Sequence, residues 1–341
     1  MRILKRILKI IGYIVLALLA LLLAAYLGIY LWSLAMPDIP PVTLTSSPDP
    51  AESYDAAMAS FDALLAEERA RGDIDEKCLP FVLTHNQRTE RAIILFHGLT
   101  ACPFQYREFA QLLYDQGYNV FVPRLPRHGY IDRTSNALAE LTAEELAAMM
   151  DPTADLAAGL GDEVTMAGLS LGGNVAAAGA QLRADLRMAA PMSPALGFRF
   201  VPDFLTPALT RVILGLSPDI YMWWDPINQA NFQAESGYPG FSLHALGEIY
   251  RLGLGVRALA ADQPPASQSQ LMISNLGDPA VSLGAIDALT AAWQRNGGDV
   301  ATYRFPLLPW LPHDFISTDA VGASTDTTYP KLLELLTTYP E

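Results

Sequence analysis

The segment Gly168-Leu169-Ser170-Leu171-Gly172-Gly173 lies between two stretches of different character. The run 162–167 before it indicates a short buried strand, and the Ala-rich run 174–178 after it indicates a helix. A serine at such a strand-to-helix turn is placed as in a nucleophile elbow, where a strained backbone holds the hydroxyl clear of the sheet. A side chain at Gly168 or Gly172 would collide with the neighbouring backbone. The pattern alone is weak, because a Gly-rich turn without chemistry has the same sequence.

Two backbone N–H groups are expected to hold an oxyanion beside Ser170. The helix that starts at Leu171 offers its first, unpaired N–H groups and its positive dipole end. The apolar run Arg91–Phe96 predicts a central parallel strand, and His97-Gly98-Leu99-Thr100 follows it directly. Gly98 allows this loop to approach the serine, so the N–H groups of Leu99 and Leu171 are the expected donors. His97 is interpreted as a residue that braces the loop, since a base at this place in the chain has no counterpart among serine hydrolases.

An acid and a base follow the serine, each just beyond a predicted strand. Asp278 comes after the strand Leu271–Ser274, and His313 comes after the last strand, Thr302–Leu307. An aspartate at a strand end can accept a proton from a histidine ring and select its tautomer. Ser170, Asp278 and His313 therefore occur in the chain order of an α/β hydrolase.

Alternatives remain for the acid. Asp278 could equally cap the helix that is expected to begin near Ser282. Asp314 is a rival, but an immediate sequence neighbour of His313 is poorly placed to reach its Nδ1.

Strands and helices alternate along most of the chain, which predicts a mostly parallel central sheet with helices on both faces. The further predicted elements are a helix at Phe104–Gln116, a strand at Asn119–Pro123, a helix from the capping box Thr142-Ala143-Glu144-Glu145 to about Leu160, a strand at Met188–Met192 and a closing helix at Tyr329–Tyr339. The sequence predicts an α/β class with ligands at the carboxyl ends of the strands.

This alternation stops from about residue 195 to 268, where aromatic residues and prolines are frequent and no strand pattern is evident. The aromatic residues include Phe198, Phe200, Phe204, Tyr221, Trp223, Trp224, Phe232 and Phe241. We expect a small helical cap inserted over the strand ends. Its aromatic side chains could line an apolar acyl pocket or could pack the cap on the body.

The amino-terminal segment, residues 1–36, is predicted to be a membrane anchor. Residues 10–37 carry no charge, and the apolar stretch Ile10–Trp32 would extend ~34 Å as a helix. The basic residues before Ile10 place the amino terminus in the cytoplasm and the domain outside it, that is, in the periplasm, with one span of the inner membrane. A cleaved signal peptide is the alternative, but its apolar region is usually only ~7–15 residues long.

Residues 37–50 are rich in Pro and Ser and predict a stiff polar tether, and 51–341 form the remaining domain. Within it, 51–71 has the spacing of an amphipathic helix. The net charge of −14 argues against a nucleic-acid partner.

Cys78 and Cys102 are the two cysteines of the chain. Outside the cytoplasm, two cysteines in one domain are more often paired than free, so we expect a disulfide that braces the loop after the strand Arg91–Phe96. Two separate buried thiols are the alternative.

Five motifs in this order resemble the α/β-hydrolase superfamily, most closely its bacterial carboxylesterase and monoacylglycerol-lipase-like branch. The motifs are His97-Gly98-Leu99-Thr100, Pro123-Arg124-Leu125-Pro126-Arg127-His128-Gly129, Gly168-Leu169-Ser170-Leu171-Gly172-Gly173, Gly277-Asp278-Pro279-Ala280-Val281 and Pro312-His313. The resemblance covers about residues 78–340. Many relatives have glycine where this chain has Arg127, and the usual soluble esterases lack the anchor.

The resemblance implies a serine carboxylic-ester hydrolase that acts on acylglycerol-like or other lipid-like esters. Ser170 would be the nucleophile, His313 the general base and then acid, and Asp278 the orienting acid. No metal or organic cofactor is expected. Two alternatives are an acyltransferase on envelope lipids that uses the same triad, and a catalytically silent binding module of the same fold.

Overall fold

The computed structural model of the chain describes residues 2–227, 237–320 and 322–339. In this part of the chain the α-helices are α1 Arg2–Ser33, α2 Tyr54–Arg71, α3 Arg107–Asp115, α4 Ala143–Ala148, α5 Met150–Leu160, α6 Leu171–Leu182, α7 Thr206–Leu214, α8 Leu243–Asp262, α9 Leu283–Arg295 and α10 Thr325–Thr338. The strands are β1 Phe81–Leu83, β2 Thr89–Phe96, β3 Asn119–Val122, β4 Gly161–Leu169, β5 Met188–Met192, β6 Tyr221–Trp223, β7 Gly240–Ser242, β8 Gln270–Asn275 and β9 Val300–Phe305.

Seven strands form one sheet in the order β1-β3-β2-β4-β5-β8-β9. β1 is antiparallel to β3, and the other neighbours are parallel. Successive side chains of β2 alternate between the two faces: Ile94 and Phe96 pack in one buried cluster, and Ile93 and Leu95 pack in the other. Each cluster contains helical residues, so helices cover both faces. The predicted α/β-hydrolase sheet is confirmed.

The helix predicted from the capping box is interrupted. Thr142 and Glu145 form the box, but the helix ends at Ala148 and a second one begins at Met150. Pro152 explains the break, because a proline ring collides with the carbonyl four residues earlier, here that of Ala148. The helix expected at 104–116 likewise begins as a 3₁₀ turn, Pro103–Tyr106, before α3.

The sequence predicts a helical cap between β5 and β8, but this region also contains two short strands. β6 and β7 form an antiparallel pair. Each strand has three residues, too few for a recognisable alternation. α8 in the same region packs against α4, α6 and α9, so it belongs to the helical layer of the body. Phe232 lies outside the described residues, and the limits of the cap remain a prediction.

The segment 37–50 is bound along the domain, which differs from the predicted tether. The carbonyl of Pro40 accepts a hydrogen bond from Arg251 (3.0 Å), and Ser46 Oγ donates to the carboxylate of Asp151 (2.6 Å). Val42 is buried in the main core cluster. Composition suggested a spacer because proline and serine are common in linkers, but here the domain supplies the hydrogen-bond partners and an apolar site.

α1 is long and apolar enough to span a membrane over Lys5–Ser33, with a mean hydropathy of 2.7 in its most apolar window. None of that window is buried inside the molecule. Whether the helix is retained or cleaved as a signal sequence remains a prediction.

Cys78 and Cys102 are joined by a disulfide across a sequence separation of 24 residues. Both side chains are buried, and Gly129 lies against them, since a Cβ at that position would be 2.6 Å from Cys78 Cβ. The disulfide connects the segment before β1 with the segment that follows the loop at Gly98.

Candidate active site

Ser170 lies between β4 and α6 with φ 58° and ψ −112°, a conformation that side-chain-bearing residues rarely adopt. Its N–H donates to the carbonyl of Met192 (2.9 Å) at the end of the neighbouring strand β5. The hydroxyl is thereby placed at the carboxyl edge of the sheet and at the amino terminus of a helix. This is the geometry that a nucleophile elbow requires.

Two glycines allow this turn. A Cβ at Gly172 would be 2.1 Å from the carbonyl oxygen of Phe96, and a Cβ at Gly168 would be 2.4 Å from the backbone of Gly172. Backbone atoms cannot move aside as flexible side chains can, so both positions exclude other residues.

His313 and Asp278 form a hydrogen-bonded pair in the loops after β9 and β8. Nδ1 of His313 lies 2.8 Å from Asp278 Oδ2 and 3.0 Å from Oδ1. Asp278 is fully buried and also accepts the N–H groups of Ala280 (2.9 Å) and Val281 (3.3 Å). These bonds hold the carboxylate in place. The carboxylate in turn orients the His313 ring through Nδ1, which leaves Nε2 as the free ring nitrogen.

The charges of this pair shift both pKa values. Burial lowers the pKa of His313, but the negative charge of Asp278 and its hydrogen bonds outweigh burial, so the pKa is raised. Burial raises the pKa of Asp278, and the same ion pair together with the N–H bonds leaves it lowered. Asp278 is therefore ionised at neutral pH, and it stabilises the imidazolium form of His313.

Asp314, the rival acid, is occupied by other donors. Its carboxylate accepts hydrogen bonds from Gln105 Nε2 (2.9 Å) and from the N–H groups of Ile316 (3.1 Å) and Ser317 (2.9 Å). Asp314 thus organises the loop that carries His313, and Asp278 is the carboxylate at Nδ1.

Ser170 and His313 are both partly exposed, whereas Asp278 is not. Within the residues that the structure describes, Ser170 Oγ makes no hydrogen bond to His313. Hydrogen bonds of this kind are often long in ligand-free enzymes and shorten when substrate binds.

The loop after β2 approaches the serine closely. A Cβ at Gly98 would be 3.8 Å from Ser170 Cβ. Gly98 N–H donates to Gln105 Oε1 (2.9 Å), and the Gln105 amide in turn donates to Asp314. The loop is therefore linked through one side chain to the loop of His313. Leu99 follows Gly98, and Leu171 is the first residue of α6, whose N–H has no acceptor in a preceding helical turn.

His97 is fully buried and hydrogen-bonded to the next motif rather than to Ser170. Its Nε2 accepts the N–H of Leu125 (3.1 Å), and its Nδ1 lies 3.0 Å from the carbonyl of Gly98. Burial and the nearby His128 hold the pKa of His97 well below its usual value. A neutral ring that accepts at Nε2 and donates at Nδ1 satisfies both contacts, as bracing of the loop requires.

Residues of the region between β5 and β8 hold the same loop from the other side. Trp224 Nε1 donates to Thr100 Oγ1 (3.0 Å), and the Tyr238 N–H donates to the Thr100 carbonyl (2.8 Å). Trp224 also packs on Phe241, with 4.6 Å between ring centroids. These aromatic residues attach the cap to the body; their role in an acyl pocket remains a prediction.

Arg127 has φ 66°, the left-handed region that glycine adopts without strain. Many relatives have glycine at this position, and glycine adopts this backbone conformation at no steric cost. Arg127 is held by Glu140 (2.7 Å) and Glu145 (3.0 Å), and its carbonyl accepts the hydroxyl of Tyr238 (3.0 Å). Ion pairs and a cap contact stabilise a backbone conformation that costs an ordinary residue of order 1–3 kcal/mol.

Two residues near the loops of Ser170, Asp278 and His313 were missed by the sequence analysis. Gln105 lies 209 positions before its partner Asp314 in the sequence, so no local motif identifies it. Ser193 is fully buried with φ 38° directly after β5, and its N–H donates to the carbonyl of Ile273 (2.8 Å) on β8, the strand that leads to Asp278. Its position at a strand end beside the elbow strand was the available signal.

No group of three His, Cys, Asp or Glu side chains suited to a metal ion occurs in the part of the chain that the structure describes. A cavity of about 460 Å³ is lined by Pro37–Pro40, Leu141, His244, Glu248 and neighbouring residues. It includes none of Ser170, Asp278 and His313, so we assign it no substrate.

The comparisons with known proteins agree with this architecture. The model of the alpha/beta hydrolase family matches residues 93–340. No curated protein matches the chain. Among solved structures, one of LipS and LipT, two metagenome-derived lipolytic enzymes, is 20% identical over 77% of this chain and 99% of its own, with a TM-score of 0.54.

Two further structures are similar. The monoacylglycerol lipase of Paleococcus ferrophilus is 18% identical over 75% of this chain and 97% of its own, with a TM-score of 0.55. A soluble variant of monoglyceride lipase from Saccharomyces cerevisiae is 11% identical over 75% and 90%, with a TM-score of 0.56. At these identities the likeness concerns the fold. The family model covers well over half of the chain, including the elbow and the loops of Asp278 and His313, and the protein belongs to the alpha/beta hydrolase family.

Proposed function

We propose that the protein is a serine hydrolase of carboxylic esters. The observation that carries the proposal is the strained Ser170 at the amino terminus of α6, at the same sheet edge as the His313–Asp278 pair. The family membership and the lipolytic and monoacylglycerol-lipase activities that the similar structures are named for support an ester substrate. The apolar amino-terminal helix favours a lipid-like ester with an apolar acyl chain.

In the first step, Ser170 Oγ attacks the ester carbonyl as His313 Nε2 takes the hydroxyl proton. The oxyanion forms beside the N–H groups of Leu99 and Leu171, where one such donor typically contributes ~3–4 kcal/mol. His313 then gives its proton to the departing alkoxide, which leaves as the alcohol. The product of this step is an acyl-enzyme on Ser170.

In the second step, His313 takes a proton from water, and the hydroxide attacks the acyl carbonyl. The same two N–H groups hold the oxyanion, and the bond to Ser170 Oγ breaks as His313 returns its proton to the serine. Asp278 remains ionised throughout and stabilises the imidazolium in both steps.

Gln105 and Asp314 act as positioning residues in this proposal. Gln105 holds the Gly98 N–H with its carbonyl oxygen and Asp314 with its amide group. Because Leu99 follows Gly98 directly, this chain of bonds sets the direction of the Leu99 N–H relative to His313. A small misplacement of a donor is costly in an active site.

We further propose that α1 remains as a single membrane anchor and that the hydrolase domain is extracytoplasmic. The basic residues ahead of the span support this orientation. The Cys78–Cys102 disulfide supports it too, because such bonds persist in oxidising compartments.

The test uses the full chain in detergent micelles, treated with a fluorescent fluorophosphonate probe and with p-nitrophenyl esters of increasing chain length. We expect labelling at Ser170, loss of labelling in Ser170→Ala, and loss of turnover in both Ser170→Ala and His313→Ala. Ser60→Ala serves as the control, since this serine is exposed on α2 and its hydroxyl bonds only the Ala56 carbonyl of the same helix. It should retain labelling.

The same assay separates the alternatives. Fatty acid as the product in the presence of added glycerol means hydrolysis, whereas acylglycerol as the main product means acyl transfer. Absence of labelling in a protein with native near-ultraviolet circular dichroism would contradict the enzymatic proposal and favour a binding module.

A further inference from the structure

The last turns of α1 pack against α7 of the hydrolase domain. The residues of this part of α1 that lose exposure are Tyr26, Ile29 and Ser33, which lie on one face at helical spacing. Beyond the helix, Asp38 pairs with Arg211 of α7 (2.8 Å). The helix is thus attached to the domain over two turns and again just after its end, which fixes the orientation of the domain relative to the membrane.

The depth of the contact follows from the length of the helix. If Ile10, where the charge-free stretch begins, marks one boundary of the hydrocarbon core, about 20 residues cross that core, and the other boundary lies near Ile29. Tyr26 then lies about 5 Å inside that boundary. Tyr26 Oη donates a hydrogen bond to the carbonyl of Phe200 (2.8 Å), so the segment of Phe200 lies at the same depth.

This segment carries the side chains that suit such a depth. Phe200 and Phe204 are each 78% exposed, although aromatic side chains gain most from burial. The guanidinium of Arg199 lies 5.6 Å from the centre of the Phe200 ring. A pair of phenylalanines beside an arginine matches the boundary between acyl chains and phosphate groups.

We propose that Phe200 and Phe204 insert into the leaflet of the phospholipid bilayer on the domain side, with Arg199 at the phosphate groups. The segment between β5 and α7 is then a second membrane contact beside α1. Burial of two phenylalanine side chains resists rotation of the domain away from the surface.

The contact lies close to the candidate active site. Phe198 pairs with Val281 in an antiparallel bridge, and Val281 donates its N–H to Asp278. The loop of the catalytic acid therefore adjoins the membrane segment. If the proposed function holds, which this consequence requires, an ester in the leaflet reaches Ser170 without crossing bulk water. The membrane contact itself does not depend on catalysis.

The test labels single introduced cysteines in the full chain with the environment-sensitive fluorophore NBD. The two native cysteines are buried in a disulfide and do not react. The variants Phe200→Cys and Phe204→Cys are made in the Ser170→Ala background and reconstituted into phosphatidylcholine–phosphatidylglycerol vesicles. Gln294→Cys, exposed at the far end of α9, is the aqueous control, and Leu22→Cys in the middle of α1 is the membrane control.

We expect blue-shifted NBD emission at positions 200 and 204 and loss of fluorescence with lipids that carry a spin label near the headgroup. At position 22 we expect stronger quenching by lipids labelled deep in the acyl chain, and at position 294 no quenching by either. Quenching at 200 and 204 no greater than at 294 would overturn the proposal. Blue-shifted emission without quenching by lipid would overturn it in favour of contact with a second protein chain. The Ser170→Ala background keeps the result independent of the labelling test of the proposed function.

Discussion

The hydrogen-bonded pair of His313 and Asp278 determines how the candidate site depends on pH. The charge of Asp278 outweighs the effect of burial and raises the pKa of His313 above the ordinary histidine value of 6.5. The base must be neutral to accept the proton of Ser170. Activity is therefore lost as pH falls through this raised pKa and is present above it.

We predict that kcat/KM increases with pH with a midpoint above 6.5 and that Asp278→Asn lowers the midpoint, because the charge that stabilises the imidazolium is removed. The variant should also lose about 10⁴ in kcat. Steady-state hydrolysis of a p-nitrophenyl ester as a function of pH measures both effects. Asp326→Asn, at an exposed position in the first turn of α10, is the control and should leave the profile unchanged. A midpoint that Asp278→Asn does not move would exclude Asp278 as the orienting acid.

The amide of Gln105 connects the loops of Gly98 and His313. We predict that Gln105→Ala lowers kcat about a hundredfold with little change in KM, because the Leu99 N–H loses its alignment with the oxyanion. Steady-state kinetics with a p-nitrophenyl ester measures this. Gln111→Ala, which removes an exposed amide bound to Asp115 on α3, is the control.

A compensating variant distinguishes positioning from general loss of stability. Gln105→Glu keeps the acceptor for the Gly98 N–H but places a carboxylate against Asp314. Adding Asp314→Asn restores a donor between the two side chains, so the double variant should recover part of the kcat that Gln105→Glu loses. No recovery would mean that the bond between these two residues does not determine the position of the Gly98 loop.

At the scale of elements, one buried arginine joins α5, the turn before β5 and the segment after α1. The Arg183 side chain is fully buried and pairs with Asp151 (3.0 Å), Asp155 (2.7 Å) and Asp185 (2.6 Å). Asp151 also accepts the hydroxyl of Ser46. A single positive charge therefore compensates three carboxylates. One of them, Asp151, also holds the amino-terminal segment through Ser46.

We predict that Arg183→Leu lowers the free energy of unfolding by about 3–5 kcal/mol, since it leaves three neighbouring, partly buried carboxylates without the buried charge that pairs with them. Arg88→Leu removes an ion pair with Asp162 whose side chains are 42% and 69% exposed, and should cost about 0–1 kcal/mol. Chemical denaturation of the full chain in detergent micelles compares the two. Equal losses in both variants would show that the buried cluster contributes no more than a surface pair.

At the scale of the whole molecule, two buried histidines make the fold sensitive to acid. The rings of His97 and His128 lie 5.0 Å apart between β2 and the turn after β3. Burial lowers the pKa of His128 to about 4; the bond to the Pro126 carbonyl raises it by less than burial lowers it, and the charge of Arg124 adds a smaller lowering. The folded state therefore binds fewer protons than the unfolded state between pH 6.5 and about 4. The free energy of unfolding is therefore highest above the pKa of the unfolded state, and it decreases as pH falls through that window.

We predict that the free energy of unfolding falls by about 3 kcal/mol over this window through His128 alone. His128→Asn cannot titrate there and retains an amide donor for the Pro126 carbonyl. It should give a shallower decline of thermal unfolding temperature with falling pH. His85→Asn, which removes a partly exposed ring stacked on Tyr114, is the control. An unchanged slope in His128→Asn would contradict this source of acid sensitivity.

The chain alone indicated the α/β-hydrolase sheet, the strand–Ser170–helix turn and the span at the amino terminus. These depend on signals within short windows: apolar runs, the glycines at 168 and 172, and charge-free length. The collisions that a Cβ would make at both glycines show why that local pattern was informative.

Other features became visible only when distant segments met in the fold. The bond between Gln105 and Asp314, the cap residues on Thr100 and the hydrogen bonds of the segment 37–50 join parts of the chain that share no local pattern. The short strands of the cap were missed for the same reason, because three residues carry too little periodicity. Local sequence determines which backbone conformations and periodicities are favourable, whereas hydrogen bonds between remote loops depend on distances that only the packed sheet and its helices set.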